Sequence, residues 1–261
     1  MKRRALLFVC ILFTSLAWSE NISDSFLKNY MEENNINGTV VIESLNAHKI
    51  HIYNDKRSKE RFLPASTFKI INTLIALQEK AVKDENEVIK WDGQDKGMAD
   101  WNKDQNMKSA FPISCVWFYQ ELAKKIGNEK FKSYLKKMNY GNSKTGEHVD
   151  SFWLDGDLRI SAIEQIDVLK NIYREKYTFD SKNYKILKTL MIVDKNESYI
   201  VRAKTGVVGS MSPNIGWYVG YIETNDDVIF FACNIDLMKP EQTKMRKEII
   251  YTALRELKII N

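Results

Sequence analysis

Apolar residues along this chain fall into two kinds of run, and the order of those runs predicts a fold. Short β-branched stretches come first and last. Gly38-Thr39-Val40-Val41-Ile42-Glu43 and Lys49-Ile50-His51-Ile52-Tyr53 read as a hairpin. Tyr199–Thr205, Gly216–Ile222 and Val228–Asn234 read as three more strands, the last two joined by the polar turn Glu223-Thr224-Asn225-Asp226-Asp227. Between Thr67 and about Leu190 the apolar spacing is mostly helical, as in Trp117–Ile126 and Ile163–Tyr173, and a closing helix fits Pro240–Leu257. Strands at both ends of a sequence must meet in one sheet. The pattern therefore predicts a mixed α/β (α+β) fold: an antiparallel sheet with a closing C-terminal helix, a helical subdomain to one side and a cleft between the halves. No repeat or low-complexity linker divides residues 20–261; the sheet part is expected at about 20–65 and 195–261, and the helical part at about 66–194.

One polar pair interrupts this pattern. Leu63-Pro64-Ala65 leads into Ser66-Thr67-Phe68-Lys69, and the next residues, Ile70, Ile71, Leu74, Ile75, Ala76 and Leu77, are apolar nearly all round, which describes a buried helix. Residues three apart share a helix face, so the lysine amine can reach the serine hydroxyl. A serine is a poor nucleophile until a neighbour takes its proton, and burial favours the neutral amine that can do so. The pair suggests acyl transfer. The alternative is a serine N-cap with a lysine reaching outwards. Spacing alone does not decide, because Ser25/Lys28 and Ser133/Lys136 repeat it in polar, lysine-rich surroundings where both lysines can face water.

Composition narrows the field. The chain has 261 residues, 44% hydrophobic and 28% charged, enough to bury a core without disulfides or metals. Lys2-Arg3-Arg4, the apolar run Ala5 to Leu16 and Ala17-Trp18-Ser19 describe a secretory signal peptide over 1–19, cleaved near Ser19, and so a periplasmic or secreted mature protein with no membrane segment. Of 39 basic residues three leave with the leader, and 36 against 34 acidic residues gives a net of +2. No basic stripe with interleaved aromatics points to nucleic acid. Cys115 and Cys233 survive cleavage and read equally as a disulfide or as buried thiols. His48, His51 and His148 have no metal-ligand spacing.

Two further motifs belong with the serine. Lys204-Thr205-Gly206 ends the strand Tyr199-Ile200-Val201-Arg202-Ala203, so its side chains should border the cleft, and glycine there lets a ligand approach the backbone. A second copy, Lys144-Thr145-Gly146, follows the turn-rich Tyr140-Gly141-Asn142-Ser143 with no strand before it and reads as coincidence. Ser114-Cys115-Val116 opens the Trp117 helix. A Gly-x-Ser-x-Gly elbow is absent, no histidine suits a Ser-His-Asp triad, and no Glu-x-x-x-Asn separates Ser66 from Lys204, which leaves Lys69 as the base.

Pro-Ala-Ser-Thr-Phe-Lys, then Ser-x-Val, Tyr-Gly-Asn and Lys-Thr-Gly in that order resembles the class D serine β-lactamases, the oxacillinase family. The likeness runs over the whole mature chain, through Trp91-Asp92-Gly93, Asp100-Trp101-Asn102, Phe152-Trp153-Leu154, Arg159-Ile160-Ser161-Ala162 and Met245-Arg246-Lys247. It implies the β-lactamase/transpeptidase-like fold of penicillin-recognising serine enzymes, with N- and C-terminal helices flanking the antiparallel sheet, and hydrolysis of β-lactam antibiotics with resistance as the outcome. Ser66 would attack the lactam carbonyl, with the oxyanion held by the N–H groups of Ser66 and Val207. Lys69 would be carboxylated by carbon dioxide or bicarbonate to an N6-carboxylysine acting as general base, with no other cofactor and no metal. Trp153 would donate its indole N–H to that carbamate, and Val116 would keep the pocket dry. Ser114 would pass a proton to the lactam nitrogen; Lys204, Thr205, Gly206 and Arg246 would bind the substrate carboxylate, since an arginine fork matches it. Leu154 joins the substrate-binding set, and Trp101 either lines the cleft mouth or packs. Each has a bland alternative: Trp153 a core aromatic, Arg246 a solvated helix residue, Tyr140-Gly141-Asn142 a turn. At the level of function the alternatives are a β-lactam-sensing domain that stays acylated, and a penicillin-binding peptidase.

Overall fold

The computed structural model describes residues 25–209 and 211–260. The leader expected at 1–19 lies outside the described residues. In chain order the elements are α1 (Ser25–Glu33), β1 (Gly38–Ser44), β2 (Ile50–Tyr53), α2 (Asp55–Ser58), α3 (Lys69–Gln78), α4 (Met107–Ala110), α5 (Val116–Ile126), α6 (Asn128–Met138), α7 (Ala162–Tyr173), α8 (Ser181–Leu190), β3 (Ile192–Lys195), β4 (Tyr199–Val208), β5 (Asn214–Thr224), β6 (Val228–Leu237) and α9 (Met245–Glu256).

The strands form one antiparallel sheet in the order β2-β1-β6-β5-β4-β3. β1 lies against β6, with Gly38 opposite Ile235 and Ser44 opposite Ile229, so the two ends of the sequence do meet. Alternation along the central strands feeds two cores. Val228, Phe230 and Ala232 of β6 and Ile215, Trp217, Val219 and Tyr221 of β5 face the helical side. Ile229, Phe231, Cys233 and Ile235 with Tyr218 and Ile222 face α1 and α9. A sheet covered on both faces has no room for polar positions, which is why β5 and β6 read as continuous apolar runs.

Three elements differ from the sequence expectation. The middle of the chain is less helical than its spacing predicts, with irregular chain over most of 79–106 and 139–160. In the first of these, Asp84, Asp92 and Asp95 each accept a hydrogen bond from a backbone N–H two residues on, at 2.8–3.0 Å, and such local bonds compete with helix. The strand β3 has no counterpart in the sequence pattern, being four residues of alternating half-buried and exposed positions at the sheet edge. The helix expected to begin at Ser66 starts instead at Lys69, preceded by a 3₁₀ turn over Ala65–Phe68.

Candidate functional site

The 3₁₀ turn is held from several sides. Ala65 adopts φ 47°, a left-handed conformation that strains a residue with a Cβ by roughly 1–2 kcal/mol. Its N–H donates to Trp153 O at 2.9 Å, while Pro64 O accepts from the Thr67 N–H at 3.2 Å and from Thr67 Oγ1 at 2.7 Å. Gln165 Nε2 donates to Thr67 Oγ1 from α7 at 3.0 Å. The result presents Ser66, 7% exposed, at the junction with α3.

Lys69 opens α3 and is fully buried. Its Nζ donates to Ser66 Oγ at 3.1 Å and lies 5.1 Å from the centre of the Tyr119 ring. Burial pulls the amine from its ordinary 10.5 down to about 7, with the neighbouring Cys115 thiol opposing. An amine poised near neutrality beside a hydroxyl has the pKa a general base requires. Trp153 stacks on Phe68 with ring centres 5.5 Å apart, and its indole Nε1 is buried with no hydrogen-bond partner. A buried donor of this kind calls for an acceptor.

On the opposite wall, Ser114 sits at φ 58° just before α5, and its Oγ accepts from Lys204 Nζ at 2.5 Å. Lys204 also donates to Thr205 O at 3.2 Å and is nearly buried. Burial, followed by the charges of Lys69, Arg246 and Lys247, holds its ammonium well below the ordinary lysine range. Arg246, at the start of α9 and 8% exposed, donates from Nη1 to Gly206 O at 2.6 Å, and its Nε is buried and unpaired. Burial lowers its guanidinium to about 10, so it stays charged at neutral pH. Lys69, Lys204 and Arg246 converge on one cleft with no carboxylate among their hydrogen-bond partners in the described residues, and the charged guanidinium of Arg246 there favours an anionic ligand. Among the described residues no group of three metal-ligating side chains could hold an ion, and no helix is long and apolar enough to cross a membrane.

Gly206 explains how the two walls approach. A Cβ on it would lie 3.0 Å from Pro64 O and 3.3 Å from Ser66 N, so glycine lets β4 run beside the serine amide without its neighbours having to give way. Val207, the next residue, is 40% exposed at the open end of β4. Trp101 is half-buried, donating from Nε1 to Ile113 O at 3.2 Å, which fixes the residue before Ser114; Val116 and Leu154 are also half-buried, both partly open to solvent.

The remaining motifs lie elsewhere. Asn142 accepts from the Arg159 N–H at 3.0 Å and donates to Asp157 O at 2.8 Å, and a Cβ on Gly141 would meet Arg159 O at 2.0 Å, so Tyr140-Gly141-Asn142 buttresses the Arg159 loop. In the second Lys-Thr-Gly, Lys144 is exposed and the segment belongs to no strand. Lys28 and Lys136 are exposed. Cys115 and Cys233 are free, buried thiols. Sequence reasoning missed Tyr119, whose ring faces Lys69 and whose hydroxyl meets that of Thr73 at 2.9 Å. Its signal was the i, i+3 spacing from Val116, which puts both on one face of α5.

Comparison with known proteins agrees with this geometry. The penicillin binding protein transpeptidase domain matches residues 24–255. The chain is 42% identical over 243 residues to "Beta-lactamase OXA-48" of Klebsiella pneumoniae, covering 93% of this chain and 91% of that protein. It is 41% identical over 254 residues to "Beta-lactamase OXA-20" of Pseudomonas aeruginosa, covering 96% and 94%. Among solved structures, the class D β-lactamase of Sebaldella termitidis superposes with TM-score 0.87 at 46% identity over 90% of this chain and 97% of that one. FUS-1 (OXA-85) of Fusobacterium nucleatum subsp. polymorphum gives 0.89 at 37% over 92% and 100%. A buried lysine beneath a serine that follows a strained alanine, faced by a lysine–serine–arginine wall, thus comes with whole-length likeness to named enzymes: the chain belongs to the class D serine β-lactamases.

Proposed function

We propose that this enzyme opens the ring of penicillin-type β-lactams through an acyl-enzyme on Ser66 and hydrolyses that ester, so conferring resistance. One observation carries the reading: a fully buried amine, neutral above about pH 7, lies 3.1 Å from the hydroxyl of Ser66. Once carboxylated on that neutral nitrogen, Lys69 would accept the hydroxyl proton as Oγ attacks the lactam carbonyl. The Ser66 and Val207 N–H groups take the developing oxyanion, with Gly206 allowing β4 to run close enough for both to serve. Ser114, bonded to Lys204 Nζ, delivers a proton to the departing lactam nitrogen. Lys204, Thr205 and Arg246 hold the substrate carboxylate, and Trp101 and Leu154 border the acyl side chain.

The same pocket suits a carbamate formed from carbon dioxide on Lys69. The amine is neutral enough to react, its surroundings are apolar, and the unpaired Trp153 N–H is a donor awaiting an acceptor. So carboxylated, Lys69 would also serve as general base for the water that releases the product; Trp153 and Ser66 would hold the carbamate, and Val116 would limit the access of bulk water to it. The leader at 1–19 directs the enzyme to the periplasm or the medium.

A chromogenic cephalosporin mixed with the enzyme in bicarbonate buffer tests the reading. Many turnovers per molecule are expected, with Ser66 carrying the acyl adduct in rapid-quench mass spectra. A single burst equal to the enzyme concentration, followed by silence, identifies a sensor and refutes hydrolysis. Amino-terminal sequencing of the secreted protein is expected to start near Glu20.

A further inference from the structure

Trp217 belongs to none of the catalytic motifs, yet it touches both sides of the reactive serine. It lies on β5, fully buried, on the face of the sheet that meets the helical half. Its backbone stands opposite Gly206 in the β4–β5 register. Its indole Nε1 donates to Leu63 O at 2.9 Å. Its ring meets the edge of Phe62, 6.4 Å between centres at 74°, and Phe62 lies 4.7 Å from the guanidinium carbon of Arg57.

Beyond Leu63 the backbone has little freedom left. Pro64 has φ fixed by its ring, at −72°. Pro64 O is taken twice by Thr67, and the Ala65 N–H by Trp153 O. Phe62, just before Leu63, exchanges backbone hydrogen bonds with Ile160 at 3.0 and 2.9 Å. The carbonyl of Leu63, three residues before Ser66, is held by a side chain from the sheet, and that side chain is Trp217. A buried indole N–H needs an acceptor, and the one Trp217 finds is a main-chain carbonyl three residues before the nucleophile. The same residue, through its pairing with Gly206, also fixes where β4 passes the Ser66 amide.

We infer that Trp217 is a positioning residue for the oxyanion hole, its indole N–H holding the Leu63–Ser66 turn at a set separation from the Gly206–Val207 end of β4. The inference rests on the acyl-enzyme reading and deepens it. Two amides on different elements stabilise an oxyanion only if their spacing is fixed before reaction. The hydrogen bond therefore acts on the transition state and little on substrate affinity.

The test is Trp217→Phe, which keeps a ring and removes the N–H, with Trp217→Met as a second variant lacking the donor and Trp217→His as one that retains a ring N–H. Infrared difference spectra of the acyl-enzyme formed with a slowly released penicillin read the hole directly, because weaker hydrogen bonds raise the acyl carbonyl stretch. The Phe and Met variants are expected to show a higher stretch and acylation slowed by about tenfold, with non-covalent affinity for the penicillin within about twofold of the parent. The His variant is expected to recover part of the rate. Phe62→Leu, which disturbs the packing and spares the N–H, should leave the stretch in place. An unmoved stretch in the variants without the donor, or a rate that falls only with the folded fraction, overturns the inference. Failure of the parent enzyme to form any adduct on Ser66 overturns the acyl-enzyme reading instead.

Discussion

Ser66/Lys69 and Ser133/Lys136 have the same spacing in the same chain and differ in everything else. The first pair lies at the foot of a buried helix with its amine fully enclosed; the second lies on α6 with both side chains exposed. Spacing brings two groups together, while desolvation makes one of them a base. Lys-Thr-Gly repeats the lesson. At 204–206 the motif lies on β4 past the end of its pairing with β3, beside Lys69, Arg246 and Lys247, whereas at 144–146 it belongs to irregular chain whose lysine is exposed.

The contrast can be broken most severely at the amine. Lys69→Ala is expected to lower steady-state turnover by about 10³-fold or more, in line with loss of a general base, while Lys136→Ala stays within about twofold. Normal turnover without Lys69 would remove the proposed base. Next, Lys204→Ala should cut kcat/KM for penicillins by about 10–100-fold through loss of charge-assisted bonds, with Lys144→Ala unchanged; equal effects from the two would dissolve the distinction between the copies.

Acidity should act more gently. Turnover is expected to fall about tenfold per unit as pH drops below about 7, because the amine of Lys69 then becomes protonated. A flat profile down to pH 5 contradicts this. Trp153→Phe, which removes the unpaired indole donor, should lower activity by about tenfold and weaken the carbon-13 carbamate signal in bicarbonate. An undiminished signal would assign Trp153 to packing alone.

Stability offers the smallest and cleanest reading. The folded pKa of Lys69, about 7, lies below its ordinary 10.5, so between those values the unfolded chain binds more protons and stability rises with pH. Below pH 7 both states are charged and the burial cost is felt in full. Lys69→Met in degassed buffer should therefore be stabilised relative to the parent most below pH 7, the gap closing towards pH 10.5, as chemical denaturation can show. Lys136→Met is expected to shift stability by less than about 0.5 kcal/mol at any pH.

The sequence made some of this visible and hid the rest for physical reasons. Lys69 stood out because a charged residue inside an apolar run has few explanations, and Lys204 because its motif ends a strand. Arg246 was harder: its helix is amphipathic and begins with a charged run, and the tertiary contact with Gly206 O shows why it is buried. Tyr140-Gly141-Asn142 could not be assigned beforehand, since its partners lie at 157–159. Helices were over-predicted across 79–106 because apolar spacing there is not opposed by proline, and the aspartate side-chain turns that prevent helix leave only a compositional trace. Trp217 was hidden among the apolar residues of a central strand, where nothing in a linear pattern distinguishes a donor with a task from one that merely fills space.

The neighbour that β1 needs on its inner side is β6, which begins only at Val228. A ribosome must therefore release nearly the entire polypeptide before that pair can zip, and the first strand waits, with its hairpin partner alone, while everything between is made. Sheets closed by such distant partners assemble slowly. Any truncation upstream of Val228 would leave β1 without its inner partner.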